Sequence, residues 1–288
     1  MINTDGQNHE ARFSMQLERS RIIVSHDSVA RQDAAVDWLG AYSPDSEILV
    51  LSATKEAGLE FGREAALKEG ARFGLARMTL DRLAVNLAAP ILAASGRVPA
   101  TTLSLEALTA RCVHILISEE ALSYFAPVAK RPGFPRAVAR TLDELRMNSV
   151  DIKAVRELSR GGADLAALAE CVERELASAK LADRATIFEA ALEAAQRSAP
   201  STQHLSRPLL LLDLSIQTTR EAALIEALVK HSPRTLATAP RGDNRSIAML
   251  ERALGCKAEA ITSKTSGSLS TLKAHLFEDS KPDEHKLD

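Results

Sequence analysis

The run Arg207-Pro-Leu-Leu-Leu-Leu-Asp-Leu-Ser215 decides the fold. Its apolar residues are continuous over the length of a strand and end in Asp213, as fits the central strand of a sheet covered on both faces. Working outward, strand and helix patterns alternate. "TTREAALIEAL" (Thr218 to Leu228) opens with Thr218 and Glu221 at capping-box spacing, and Ala222, Ile225 and Leu228 extend an amphipathic helix. "RTLATAP" (Arg234 to Pro240) is a further strand, followed by a helix through Ile247, Leu250 and Leu254. On the other side, "RIIVS" (Arg21 to Ser25) is a short β-branched run that leads through a loop to a helix with Ala34, Ala35, Trp38 and Leu39 on one face. "EILVLSAT" (Glu47 to Thr54) is a second buried strand, with a helix over Glu56 to Lys68. A brief strand or turn near Phe73 to Met78 precedes a helix from about Asp81. Strands alternating with helices predict an α/β fold with a parallel sheet.

From Thr101 to about Ser198 no strand signal recurs, and Ala, Leu, Glu and Arg dominate at helical spacing. Phe134, Val138, Leu142 and Leu145 form one stripe of a helix entered through "RPGFP", whose prolines fit a first turn. "RGG" (Arg160 to Gly162) breaks the block, and "LAALAECVEREL" resumes it through Leu165, Leu168, Val172 and Leu176. The reading is a polar lead over 1–20, the first half of an α/β domain over 21–98, a large all-α insertion over 99–200, the second half over 201–277, and a charged tail over 278–288.

With 288 residues, 45% of them hydrophobic, the chain can bury a core in one large or two modest domains. Its 36 basic and 38 acidic residues leave a net charge of −2, so no global field holds a polyanion and any nucleic-acid contact must be local. Seven Phe, two Tyr and one Trp argue against an aromatic platform for stacking single-stranded bases. Cys112, Cys171 and Cys256 lie far apart with no CxxC pair and no histidine at ligand spacing, which predicts buried free thiols and no metal site. The first 20 residues lack an apolar signal-peptide run, and Leu83 to Ala94, holding Asn86 and Pro90, is too short to span a bilayer. A cytoplasmic compartment is expected.

A phosphate cradle at the first strand-to-helix turn requires GxxxxGK[ST], whose backbone amides and lysine reach the phosphates. Here that turn reads "SHDSVARQDA" (Ser25 to Ala34), without glycine or lysine. Asp27 or Ser28 would cap the helix, and Asp27 would put a negative charge beside His26 where a phosphate should sit. The Leu-rich run has the hydrophobic strand and terminal acid of a Walker B element, but Leu214 follows Asp213 where a glutamate would position the attacking water. No catalytic residue, nucleotide site or cofactor is therefore expected. Lys130, Arg131, Arg136 and Arg140 follow one another with no acid between them and can contact phosphates, a solvated helix face being the competing reading. Pro282, Asp283, Glu284 and Lys286 carry the letters of a nuclease site, but such acids must converge from separate strands, so no metal role is expected.

Taken in order, these segments resemble the N-terminal helicase-like half of superfamily 1 helicases, and most closely the B-type component of AddAB-type ATP-dependent helicase-nucleases, which process broken DNA ends. "ILVLSATKEAGLEFGREAAL" (Ile48 to Leu67) looks like the strand and helix at motif Ia, with Thr54 facing single-stranded DNA. "ARFGLARMTLDRLA" (Ala71 to Ala84) is similar to the next motif, in which Thr79 and Asp81 begin a helix, with Arg82 beside them. "YFAPVAKRPGFPRAVARTLDELRMNSV" (Tyr124 to Val150) looks like the helical insert of such proteins. The Leu-rich run stands where Walker B belongs, and "TLATAPRGDNRSI" (Thr235 to Ile247), with Arg241 to Asn244, where motif III would be. The resemblance spans about residues 20 to 277 and implies a RecA-like P-loop-NTPase-type sheet with a degenerate phosphate loop. It also implies an A-type motor helicase-nuclease as partner, single-stranded DNA as ligand and no membrane. DNA contacts are expected at Thr54, Thr79, Arg82, Arg136 and Arg140. The chain stops before a second motor domain or a C-terminal nuclease, so a truncated product is expected. The alternative is a protein-interaction module that docks on a partner protein without binding DNA.

Overall fold

The computed structural model describes residues 19–158, 160–197 and 205–262, which form two compact units. One gathers the described residues up to Leu83, those up to Gln217 after the second gap, and those from Ile225; the other is Ala84–Arg197 with Thr218–Leu224. In chain order the elements are β1 (Ser20–Ser25), α1 (Ser28–Gly40), β2 (Ile48–Ser52), α2 (Lys55–Glu69), β3 (Leu75–Met78) and α3 (Leu80–Ala94). There follow β4 (Val98–Pro99), α4 (Thr102–Ser118), α5 (Ala126–Ala129), α6 (Phe134–Met147), α7 (Ile152–Arg156), α8 (Gly162–Ser178), β5 (Leu181–Ala182) and α9 (Arg184–Gln196). The chain then returns with β6 (Leu209–Leu212), α10 (Thr219–His231), β7 (Thr235–Pro240), α11 (Asn244–Leu254) and β8 (Ala258–Ala260).

In the first unit six strands run in the order β3-β2-β6-β7-β1-β8 and every pairing is parallel. The fold is α/β, with a parallel sheet of the RecA-like kind. β6 lies inside the sheet between β2 and β7, in register Leu49 to Leu209 and Leu209 to Thr235, and all four of its leucines are buried. Leu210 and Leu212 join Ile23, Ile48, Val50 and Leu236 in a core with Val36 and Leu39 of α1 and Phe61 and Ala65 of α2. The alternate residues Ile22, Leu49, Leu51, Leu209 and Leu211 are equally buried, so both faces of the sheet are covered. Burial of each such leucine contributes about 2 kcal/mol of transfer free energy, which is why an uninterrupted apolar run is confined to a doubly covered strand. β8 has no apolar run, and its register with Ile22 to Val24 of β1 is what makes it a strand.

The helical unit packs the predicted stripes together. Val138 and Leu142 of α6 and Leu168, Val172 and Leu176 of α8 meet Leu108, Val113 and Leu116 of α4 in one core, with Phe134, Leu145 and Leu165 at its margin. Cys112 and Cys171 are buried there as free thiols, and Cys256 is half-buried in the sheet unit. Burial, and then a hydrogen bond with Cys171, push the Cys112 thiol well above its ordinary pKa. This unit begins at Ala84, within α3, and it includes Thr218–Leu224. One expectation needs correction, since the unit is not purely helical: β4 and β5 pair in parallel, with Val98 N donating to Lys180 O at 3.0 Å and Ala100 N to Ala182 O at 2.8 Å. Strands two residues long carry no periodicity to read. Thr218 and Glu221 form the predicted capping box, Thr218 N donating to Glu221 Oε2 at 2.8 Å and Glu221 N to Thr218 Oγ1 at 3.3 Å.

Two glycines in the sheet unit give opposite expectations. A Cβ on Gly74 would lie 2.0 Å from the backbone oxygen of Ser46, which cannot retreat, so Gly74→Ala is expected to cost about 1–3 kcal/mol. A Cβ on Gly62 would lie 1.9 Å from Nη1 of Arg77, the free end of a flexible side chain. Gly62→Ala in α2 is therefore expected to be neutral, or to add up to about 1 kcal/mol from helix propensity. Urea midpoints of the two variants distinguish these cases.

Candidate functional site: the carboxyl end of the sheet

Parallel α/β sheets place their ligand sites beyond the carboxyl ends of the strands. Here that end carries a seam of buried polar groups: Ser25, Asp27, Arg31, Thr238 and Ser246 are each 9% exposed or less. Arg31 projects from the first turns of α1, and its guanidinium is committed at every nitrogen. Nε donates to Asp213 Oδ1 at 2.9 Å, Nη2 to Asp213 Oδ2 at 2.9 Å, and Nη1 to the backbone oxygen of Ser25 at 2.6 Å. Thr238 Oγ1 of β7 donates to the same carboxylate at 2.8 Å and accepts from Asp213 N at 3.1 Å. Asp213, directly after β6, has a positive φ of 47°, a left-handed conformation that costs a non-glycine residue about 1–2 kcal/mol and persists because these bonds hold it.

The strand ends and the helix start at this end of the sheet are tied to one another. Only His26 and Asp27 separate the end of β1 from the start of α1, too short a link to wrap a phosphate. Asp27 caps α1 with its carboxylate, accepting from Val29 N at 3.0 Å, so a first-turn amide that would meet an anion is occupied by a negative group. The acid that follows the Leu-rich strand, Asp213, is neutralised from within the chain by a fork-to-fork guanidinium. Leu214, the next residue, is 5% exposed and packs into the core. After β7, Asp243 caps α11 through Ser246 N at 3.1 Å, and Ser246 Oγ in turn accepts from Ile216 N at 2.8 Å. These polar side chains bind other parts of the chain.

The expected DNA residues fall into two sets. Thr54 follows β2 and Thr79 follows β3, and the pairing of Leu51 with Met78 brings both to the same end of neighbouring strands. Each threonine serves a helix start: Thr54 Oγ1 accepts from Ala57 N at 3.1 Å, and Thr79 Oγ1 from Arg82 N at 3.3 Å. Arg82 is exposed beside Thr79. Arg77, exposed on β3, is a further cation near this edge that sequence reasoning missed; its signal is the Gly58 and Gly62 spacing on α2, which leaves room for the arginine side chain over Gly62.

Arg136 and Arg140 lie in the helical unit, exposed on α6. The acid-free run does not survive folding as an acid-free surface. Arg136 Nε meets Glu106 Oε1 of α4 at 3.0 Å, and Arg140 Nε meets Glu144 Oε1 one turn along at 3.2 Å. With side chains 75% and 83% exposed, both pairs are weak and open to exchange with another anion. Pro282, Asp283, Glu284 and Lys286, the polar lead up to residue 18 and the tail over 278–288 lie outside the described residues. Among the described residues no cluster of three or more His, Cys, Asp or Glu could hold a metal, and no helix is long and apolar enough to cross a membrane.

No protein-family model matches the chain, and no curated protein matches it either.

Proposed function

We propose that this chain is a non-catalytic, helicase-like scaffold that guides DNA within a cytoplasmic break-repair helicase-nuclease, as the B-type component beside an A-type motor. One observation carries the inactive half of this reading: the guanidinium of Arg31 fills the position at Asp213 where a motor would keep its cation and phosphates. The DNA half rests on the edge formed by Thr54, Thr79 and Arg82 and on the exposed arginines of α6. The role is binding without turnover.

Titration of the protein with single-stranded DNA at several salt concentrations tests it. Log affinity is expected to fall linearly with log salt by about 0.7 per phosphate neutralised, and Arg82→Glu to lower that slope by about one contact. Arg136→Glu with Arg140→Glu is expected to weaken binding to a similar degree for every DNA sequence. Unchanged binding in the double variant removes α6 from the interface, and no binding by the wild-type protein at low salt removes the DNA role.

The second reading, a module that docks on a partner protein, is favoured by the pairing of both α6 arginines with acids and by the exposed apolar residues of the helical unit. Leu103 is 75% exposed and Leu158 63%, with Tyr124 and Val128 exposed as well. Such a module binds no DNA at any salt concentration, so the same titration separates the two.

A further inference from the structure

We propose that Arg31 is a built-in guanidinium ligand that latches the carboxyl end of the sheet and holds the link from Asp213 to Gln217 in a single conformation. The latch stands on packing alone and does not depend on whether the chain binds DNA.

The receptor for this guanidinium is assembled from three strands. β1 supplies the carbonyl of Ser25, Asp213 directly follows β6, and β7 supplies Thr238, which orients the carboxylate. The acceptors, two carboxylate oxygens and one carbonyl, match the planar fork of a guanidinium and not the compact ammonium of lysine. The Ser25 carbonyl also accepts from Arg241 N at 3.0 Å, so the same oxygen ties the start of the segment before α11 to the site. The charged and titratable groups around the guanidinium are Asp213, Asp27, the cap of its own helix, and His26 in the adjoining link, each of which has partners of its own.

From Asp213 the effect passes along the chain. The left-handed turn there sends Leu214 and Ile216 inward, where they are 5% and 1% exposed. Ile216 N then reaches the buried Ser246 Oγ, and Arg245 binds the backbone oxygen of Gln217. Without the guanidinium, a carboxylate faces the buried Ser25 carbonyl with no cation between them, and the turn loses the contact that offsets its strain.

Hydrogen exchange of the intact chain tests the latch. In Arg31→Ala the amides of Asp213 and Ile216 are expected to exchange at least about tenfold faster than in the wild type, a tenfold change corresponding to 1.4 kcal/mol. Methylguanidinium at about 20 mM, far below denaturing concentrations, is expected to restore their protection, whereas methylammonium at the same concentration restores none. Arg31→Lys is expected to behave as Arg31→Ala does. Unchanged protection in Arg31→Ala, or equal restoration by both cations, overturns the proposal. If neither variant folds, the wild-type protein decides: the Nε–H proton of Arg31 is expected to exchange slowly with water and to keep its NMR shift when magnesium-ATP is added, and rapid exchange or a nucleotide-dependent shift overturns the latch.

Discussion

Asp213→Ala is expected to lower the unfolding free energy of the sheet unit by about 3 kcal/mol, the low end of the range for breaking a buried ion pair. The low end applies because the aspartate side chain is 31% exposed, whereas that of Arg31 is only 7% exposed. The loss comes from the partner left behind: a guanidinium that cannot reach water keeps only the Ser25 carbonyl. Thr238 also loses the acceptor for its hydroxyl, and alanine inherits a left-handed φ that it tolerates poorly. Removing both charges together in Arg31→Met with Asp213→Leu is expected to cost much less than the two single changes added, since no charge is then stranded. Trp38, the sole tryptophan, lies on α1 and reports this unit through its fluorescence in urea. Equal midpoints for Asp213→Ala and wild type would show that the pair contributes nothing to stability.

Asp164→Ala is expected to have an effect of similar size in the helical unit, about 2–4 kcal/mol. Asp164 stands in the first turn of α8 at 3% exposure. Its Oδ2 accepts from the backbone amides of Ser123 and Phe125, each at 2.9 Å, and Oδ1 accepts from Ser123 Oγ at 3.2 Å. One buried carboxylate thus serves three donors of the partly exposed segment between α4 and α5, and alanine releases all three at once. The same segment carries Tyr124 and Phe125, whose rings lie 5.1 Å apart edge to face and close over Gly161, where a Cβ would lie 2.6 Å from the Tyr124 ring. Asp164→Asn keeps one acceptor and is expected to lose about half as much. Urea unfolding followed by circular dichroism checks the order wild type, Asn, Ala; an Ala variant as stable as Asn would contradict it.

The extent to which the architecture can be read from sequence follows from how local its causes are. The four leucines of β6 are legible because burial on both faces leaves no polar position in the run. The capping box at Thr218 and Glu221 and the cap at Asp27 are legible because their partners lie within a turn. β8, reading Ala-Glu-Ala, depends on β1 for its existence and has no pattern of its own. The site divides in the same way. Missing glycines and lysine at residues 25 to 34 are visible in the chain, but the group that pairs with Asp213 is not. Arg31 is an ordinary basic residue of a helix until Asp213, 182 positions away, is folded against it. The run from Lys130 to Arg140 misleads for the same reason, since Glu106, which pairs with Arg136, lies 30 positions before it.

If a motor-type sheet has filled its own fuel site with an arginine, calorimetric titration with magnesium-ATP tests this most directly. No saturable heat is expected into the millimolar range, and the unfolding temperature is expected to stay unmoved by nucleotide. Saturable, magnesium-dependent binding that disappears in Asp213→Asn would contradict it.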